Sequence, residues 1–190
     1  MTAKLAEADQ MTVEEFLAFT DSRPDGERWE LIEGVAVLNA SPTQWHQIIA
    51  GNIIILLGQH KIATGARWTP MMGVGTRVPI SRNSLPQPDV YVQQGDPQDT
   101  SVTSDALILF EVLSRSNTKA DRAWRKRVYS SVPNCQHYVT IGNKTPEAVR
   151  YDREDGWKGV PLNGIGSELE LPAIDVTLPL TDIYRWTPIK

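Results

Sequence analysis

The chain has 190 residues, of which 41% are hydrophobic and 22% are charged. This is the composition of an ordinary globular protein, and the length fits one domain better than two. The N-terminus has no basic stretch followed by an apolar run, and no apolar run is long enough to span a bilayer. The sequence therefore predicts neither a secretion signal nor a membrane protein.

The net charge and the cysteine content bear on the expected substrate and on the expected cellular location. The net charge of −4 argues against a general attraction to nucleic acid, although a local basic patch can outweigh the average. Cys135 is the single cysteine, so an intramolecular disulfide is impossible. A reducing cytoplasm is therefore the expected location.

The first predicted elements follow a short leader. Residues 1–10 are polar and predict a flexible leader, and residues 11–190 are expected to form a single domain. A capping-box pattern at Thr12 and Glu15 predicts the start of a short helix that ends near Phe19.

A hairpin and a longer helix are predicted next. The β-prone runs 28–32 and 35–38 flank a turn that contains glycine, which is typical of a hairpin. Residues 41–44 supply a second capping-box pattern, with proline at the first helical position. The helix that follows is expected to run to about His60.

The rest of the chain is predicted to consist mainly of strands. Alternating apolar residues predict a half-buried strand over 74–80, and another strand starts at Asp89. Residues 106–113 are apolar on both faces, as expected for a central strand covered on both sides. A helix is predicted over 118–130.

Five further strands complete the predicted fold. They span 136–141, 148–151, 159–162, 168–171 and 176–180. This order of elements predicts an α/β fold with a central mixed sheet flanked by helices.

Glu111 is the most informative residue because it lies within the apolar run 106–113. An ionised carboxylate is almost never buried without a partner, so a cation or an arginine must compensate it, or its pKa must rise. A buried ion pair, or a position facing water at the end of the strand, is the alternative to a metal-binding role.

Asp89 strengthens the case for a metal site. It follows Pro88 at the start of a strand, and only a short connection and a second strand separate it from Glu111. Two neighbouring strands would bring the two carboxylates together at one end of a sheet. Like charges held that close require a cation, and carboxylate oxygens suit Mg²⁺ or Mn²⁺. A Pro-Asp turn before a strand is the alternative for Asp89 alone.

Several segments form an ordered pattern: 29–34, 41–42 with His46, 88–89, 111–114, 121–129, 132–133 and 137–139. In this order they resemble a large group of restriction-endonuclease-like proteins within the PD-(D/E)XK nuclease superfamily. The resemblance spans most of the chain. It implies a restriction-endonuclease-like core in which Asp89 and Glu111 bind a metal ion.

The sequence departs from the superfamily motif at its basic residue. The motif expects a lysine two residues after the second acid, and Leu113 occupies that position. In the resembling group the lysine lies on the following helix, four residues before the tyrosine matched by Tyr129. That position is Arg125, with Lys126 beside it. Either is a candidate catalytic residue, although arginine does not readily give up a proton, and a solvated basic face is the alternative for both.

Two more residues are predicted to support the site. Glu30 matches an acid of the family pattern and is a candidate outer metal ligand or water anchor; an exposed strand residue is the alternative. His46 lies in the first turn of its helix, where the positive end of the helix dipole favours a neutral imidazole. It is a candidate for a hydrogen bond to a water or a carboxylate near the metal, and a structural histidine is the alternative.

A basic stripe follows Glu111. It consists of Arg115, Lys119, Arg122 and Lys126, at spacings of four, three and four residues. The stripe predicts contacts to the phosphates of a DNA substrate. An ordinary charged helix face is the alternative.

The combined prediction is a Mg²⁺- or Mn²⁺-dependent endonuclease that hydrolyses DNA phosphodiester bonds, with Asp89 and Glu111 as metal ligands. A homodimer is expected because nucleases of this fold often pair to cut both strands. The alternative is a catalytically inactive nucleic-acid-binding or regulatory protein with the same fold, and the arginine at position 125 motivates it.

Overall fold

The computed structural model describes residues 10–114 and 117–190, so residues 1–9 of the predicted leader lie outside the described residues. At its centre is a six-stranded sheet. From one edge to the other its strands are β10 (Gly159–Asn163), β9 (Glu147–Asp152), β8 (His137–Ile141), β7 (Ala106–Val112), β5 (Val90–Gln94) and β3 (Trp68–Met71). Neighbouring strands are antiparallel except β7 and β8, which are parallel. The sheet is therefore mixed, as predicted.

Within the described residues, three two-stranded pairs and four α-helices surround this sheet. The pairs are β1 (Trp29–Ile32) with β2 (Val35–Leu38), β4 (Gly75–Thr76) with β6 (Val102–Thr103), and β11 (Glu168–Leu171) with β12 (Val176–Pro179). The helices are α1 (Val13–Asp21), α2 (Gln44–Thr64), α3 (Lys119–Tyr129) and α4 (Leu180–Ile183). A short 3₁₀ helix spans Pro172–Ile174. Within the described part of the chain, no helix has the length and apolar character needed to cross a membrane.

The core lies on both faces of the sheet because β7 contributes alternate side chains to each face. On one face, Ile108 and Phe110 pack in a cluster with residues of α2. On the other face, Leu109 packs in a cluster with Val128 and Tyr129 of α3. The prediction of a central strand covered on both sides, flanked by helices, is confirmed.

The helix starts are governed by side-chain caps. Thr12 and Glu15 form the predicted capping box of α1. The prediction for α2 was wrong in its register: Thr43 is the N-cap and accepts a hydrogen bond from the His46 N–H, so Pro42 precedes the helix instead of opening it. The helix also continues four residues beyond His60, to Thr64.

The strand predicted over 74–80 was also wrong. Only Gly75–Thr76 is strand there, and Pro79 lies in a turn because its ring nitrogen has no hydrogen to donate to a strand ladder. The sheet edge is instead β3, which the sequence did not predict. β3 contains Pro70, and proline is tolerated at an edge, where one side of the strand needs no partner.

The β1–β2 hairpin is held against the large sheet. Leu31 pairs with Leu85 through two backbone hydrogen bonds, of 2.8 and 3.4 Å, and both side chains are buried. This contact brings β1 beside the segment that leads into β5. The side chains of β1 therefore reach the end of the sheet where Asp89 lies.

Candidate active site

The predicted carboxylates lie in one cleft at the end of β5 and β7. The cleft has a volume of about 540 Å³, and its walls come from the first turn of α2, the β1–β2 hairpin, α3 and the turn after β8. Five of the six predicted catalytic residues line it: Glu30, His46, Asp89, Glu111 and Arg125. The sixth, Lys126, lies elsewhere.

Glu111 projects from β7 toward α3 and is 6% exposed. Its Oε1 accepts hydrogen bonds from Arg125 Nη1 and from the Tyr129 hydroxyl, each at 2.9 Å. Burial raises the pKa of Glu111 to about 8, because the buried carboxylate loses its hydration; Arg125 opposes this rise, and the charges of Asp89 and Glu30 add to it. Asp89 and Glu111 line the same cleft, so their like charges oppose each other's ionisation.

Arg125 supplies a buried positive charge to Glu30 and Glu111. Its guanidinium binds both oxygens of Glu30, with Nη1–Oε1 at 3.1 Å and Nη2–Oε2 at 2.7 Å, while Nη1 also reaches Glu111. Its Nε lies 3.5 Å from Asp121 Oδ1. A planar fork of donors can hold two carboxylates in this way, whereas a lysine ammonium cannot make the same bidentate contact. The buried ion pair considered as the alternative for Glu111 is therefore present.

Glu30 is fully enclosed by these contacts. It is 1% exposed, and its Oε1 also accepts a hydrogen bond from the Gln87 backbone N–H at 2.7 Å. The alternative of an exposed strand residue was therefore wrong. Glu30 and Arg125 together join the β1–β2 hairpin to α3 across the floor of the cleft.

Asp89 links β5 to the end of β7 through its side chain. Its Oδ2 accepts a hydrogen bond from the Val112 backbone N–H at 2.9 Å and lies 3.2 Å from His46 Nε2. Its Oδ1 lies 3.7 Å from Arg28 Nη2. The buried Nδ1 of His46 has no hydrogen-bond partner among the described residues. Asp89 is thus fixed in place by a backbone donor and by the first turn of α2.

The donor chemistry of Asp89 and Glu111 fits a hard divalent cation. No group of three or more histidine, cysteine or acidic side chains within residues 10–114 and 117–190 is placed to hold a metal ion. Mg²⁺, however, retains several of its waters and is often held by one or two carboxylates. In the described residues, the hydrogen bonds to Glu111 reach Oε1 and leave Oε2 unengaged, and Asp89 Oδ1 has its only ion-pair contact with Arg28. Each acid therefore has one oxygen that accepts no hydrogen bond from the described residues and that an ion could bind, with Arg28 near the one on Asp89.

The basic stripe lies against a second cleft, of about 400 Å³, between α3 and strands β8, β9 and β10. Lys119, Arg122 and Lys126 all line it, and Lys126 Nζ lies 5.2 Å from the centre of the Tyr151 ring. Arg115 lies outside the described residues. The structure thus separates Lys126 from Arg125, although the two are adjacent in sequence.

Comparison with known proteins agrees with the fold and with the predicted resemblance. Residues 13–181 match the family Uma2, described as "Putative restriction endonuclease". The chain belongs to this family. A crystal structure of "a putative nuclease belonging to DUF820" from Anabaena variabilis has the same fold, with a TM-score of 0.74 over 93% of this chain and 98% of that chain, at 14% identity.

A relative with closer sequence similarity matches a shorter segment. It is "Uncharacterized protein slr1290" of Synechocystis sp., 32% identical over 102 residues. The match covers 52% of this Uma2 chain and 53% of that protein, so the chain spans about half the length of the curated relative.

Sequence reasoning missed several residues that line the cleft of this Uma2 protein, among them the polar residues Arg28, Asn143 and Lys144. Arg28 immediately precedes β1, and the other two lie in the turn after β8. Because β7 and β8 are parallel, the residues that follow them emerge at the same edge of the sheet. The signal in the sequence is the pair of polar residues directly after β8, which is informative only once the parallel pairing of β7 with β8 is expected.

Proposed function

We propose that this Uma2 protein is a Mg²⁺- or Mn²⁺-dependent endonuclease that hydrolyses DNA phosphodiester bonds. The observation that carries the proposal is that Asp89 and Glu111 line one cleft, with one oxygen of each carboxylate accepting no hydrogen bond from the described residues. A divalent ion held there supplies the Lewis acid that polarises the phosphate and activates the attacking water. Membership of the Uma2 family and the nuclease-like fold support the same reading.

The surrounding residues prepare these two acids for binding. Arg125 and Tyr129 hold Glu111 through Oε1, which fixes the direction of Oε2. His46 and the Val112 N–H hold Asp89 through Oδ2 in the same manner. Side chains fixed before the ligand arrives lose less freedom on binding, which favours both affinity and reaction.

Arg125 acts in this proposal through its charge. Its pKa is raised well above its usual range, because the charges of Glu111 and Glu30 outweigh its burial, so it cannot serve as a proton donor or acceptor at neutral pH. A fixed positive charge beside the acids stabilises negative charge that develops on a phosphate in the cleft. The role predicted for the motif lysine is therefore assigned to Arg125 and not to Lys126.

A catalytically inactive nucleic-acid-binding protein is the second candidate. The observation that favours it is that Arg125 already pairs with both Glu30 and Glu111. A protein that needs no metal ion would be stabilised by such pairs. The two candidates differ in whether DNA is cut and whether a metal ion is bound.

The test combines cleavage with metal binding. Supercoiled plasmid is incubated with Mg²⁺, Mn²⁺ or EDTA, using the wild type, Asp89→Asn, Glu111→Gln and the control Glu168→Gln, an exposed acid on β11. We expect nicking only with a divalent ion, a loss of about 100-fold or more in both site variants, and none in the control. Mn²⁺ affinity, measured by calorimetry, should fall in the same two variants by about tenfold or more.

Two outcomes decide between the candidates. Cleavage that persists in Asp89→Asn, or in EDTA, contradicts the proposed function. If the wild type binds the plasmid DNA but does not cut it with either metal ion, the result supports the catalytically inactive alternative. The predicted homodimer is tested separately by the sedimentation of the wild type with and without a DNA duplex, and the cytoplasmic location stays a prediction from the single Cys135.

A further inference from the structure

The cleft that contains Glu30, Asp89 and Glu111 is called the acidic cleft below. Of the cations that line it, Lys144 is the one without a carboxylate partner within the described residues. Arg125 is committed to Glu30 and Glu111, and Arg28 lies 3.7 Å from Asp89. Lys144 is exposed, and its Nζ lies 4.4 Å from the centre of the Trp45 ring. The aromatic face holds the ammonium by a cation–π contact without neutralising its charge. Its charge is therefore available to a ligand at the mouth of the cleft.

Asn143, next to Lys144, presents a polar group to the same cleft. It is 9% exposed, so nine-tenths of it is buried, and its side-chain amide has no hydrogen-bond partner among the described residues. The amide is not fully shielded, so a ligand in the cleft can reach its two donors and its acceptor. The free donors and acceptor of Asn143 thus point to a ligand with oxygen atoms or polar hydrogens.

The first turn of α2, which contains Trp45, lies beside Lys144 and lines the cleft through Thr43 and His46. The Thr43 hydroxyl accepts the His46 N–H, whereas the preceding N–H groups of the turn have no intrahelical acceptor. This turn carries no acidic side chain, and the helix has 21 residues. The N-terminal end of a long helix carries partial positive charge, and its remaining N–H groups are attractive to anions, above all to phosphate.

We propose that Lys144, Asn143 and the first turn of α2 form a phosphate-binding subsite, separate from Asp89 and Glu111. It would bind a phosphate of the DNA strand next to the one that is cut. The proposal rests on the proposed function for its choice of DNA as ligand. It does not require metal, because its attraction comes from an ammonium, an amide and backbone N–H groups.

The subsite also offsets the repulsion between the carboxylates of the cleft and an incoming phosphate. Asp89, Glu111 and Glu30 place three carboxylates at its floor, and Arg125 is the buried partner of Glu111 and Glu30. A phosphate approaching these acids is repelled unless a cation faces it. Lys144 lies at the mouth, so it contacts the strand before the strand reaches the acids. Such a contact orients the strand and raises its local concentration.

The test measures the binding of a short fluorescent DNA duplex in EDTA, where a metal-dependent enzyme does not cut. The variants are Lys144→Ala, Lys144→Arg and Asn143→Asp, and the control is Lys158→Ala, which removes an exposed lysine that lines neither cleft. We expect Lys144→Ala to weaken binding by about tenfold and to reduce the slope of log affinity against log salt by about one. Lys144→Arg should retain the slope, and Asn143→Asp should weaken binding by adding a negative charge.

The outcomes keep this inference apart from the proposed function. If Lys144→Ala and Lys158→Ala bind the duplex equally well, the subsite is contradicted even when the wild type cuts plasmid. If the wild type does not bind the duplex in EDTA, the subsite is contradicted as well. If the wild type fails to cut with Mn²⁺ but Lys144→Ala selectively loses binding, the subsite stands and the endonuclease proposal fails. Thermal unfolding of each variant checks that the fold is retained.

Discussion

The acidic cleft and the second cleft, here called the basic cleft because Lys119, Arg122 and Lys126 line it, differ in charge. The adjacent residues Arg125 and Lys126 of α3 each reach one of them. In the acidic cleft, Arg125 is 7% exposed and binds two buried carboxylates. In the basic cleft, Lys126 is partly exposed and lies over the Tyr151 ring, with no carboxylate partner within the described residues. Successive residues of a helix point about 100° apart, and this rotation alone separates the two roles. The Arg125 charge is paired with buried carboxylates, whereas the Lys126 charge is available to a ligand.

The largest expected difference between the clefts is in how much a charged residue of each contributes to the free energy of unfolding. Arg125→Ala leaves Glu30 and Glu111 buried without their cation, so the free energy of unfolding should fall by about 3–5 kcal/mol. Lys126→Ala removes a partly exposed charge and should change it by about 0.5 kcal/mol or less. Urea unfolding of both variants, in EDTA, measures the difference. Equal losses would show that the ion pairs of Arg125 do not stabilise the fold.

The second difference is in the dependence of stability on pH. The pKa of Glu111 is raised from 4.5 to about 8 by burial, so the folded state favours its protonated form. A carboxyl with a raised pKa stabilises the protein fully below its unfolded pKa, and this contribution is lost as the pH rises through the folded pKa. Without metal, stability should therefore decline between about pH 5 and pH 8, at no more than about 1.4 kcal/mol per pH unit.

Glu111→Gln should remove this decline, since glutamine does not titrate. Glu147→Gln is the matched control, because Glu147 is an exposed acid that lines the basic cleft. Urea unfolding at several pH values gives the free energies for the wild type and both variants. If Glu111→Gln and the wild type show the same pH dependence, then another group is responsible and the raised pKa of Glu111 is contradicted.

Most of the fold could be predicted from local patterns. The capping box at Thr12, the hairpin around Gly34 and the apolar strand with Glu111 follow from short-range rules, and all are present. The failures involved proline. Pro70 concealed an edge strand, and Pro79 interrupted a run that alternated like a strand, because the effect of a proline depends on which neighbours a strand has.

The acidic cleft was predictable only in part. The resemblance to restriction-endonuclease-like proteins pointed to Asp89, Glu111 and Glu30, and these three residues do line one cleft. The choice between Arg125 and Lys126 needed the rotation of α3 against the sheet, which no local pattern fixes. Lys144 was missed for a similar reason: its place at the cleft depends on the parallel pairing of β7 with β8, a long-range contact.

The smallest expected effect concerns DNA binding by the basic cleft. The double variant Lys119→Ala/Arg122→Ala removes two available charges, so duplex affinity in EDTA should fall several-fold, and the slope of log affinity against log salt should fall by about two. The control Lys158→Ala/Lys190→Ala changes the net charge equally at residues that line neither cleft. Mn²⁺ affinity should stay unchanged in both. If the two double variants weaken binding equally, then the cleft acts only through net charge and the alternative of an ordinary charged helix face holds.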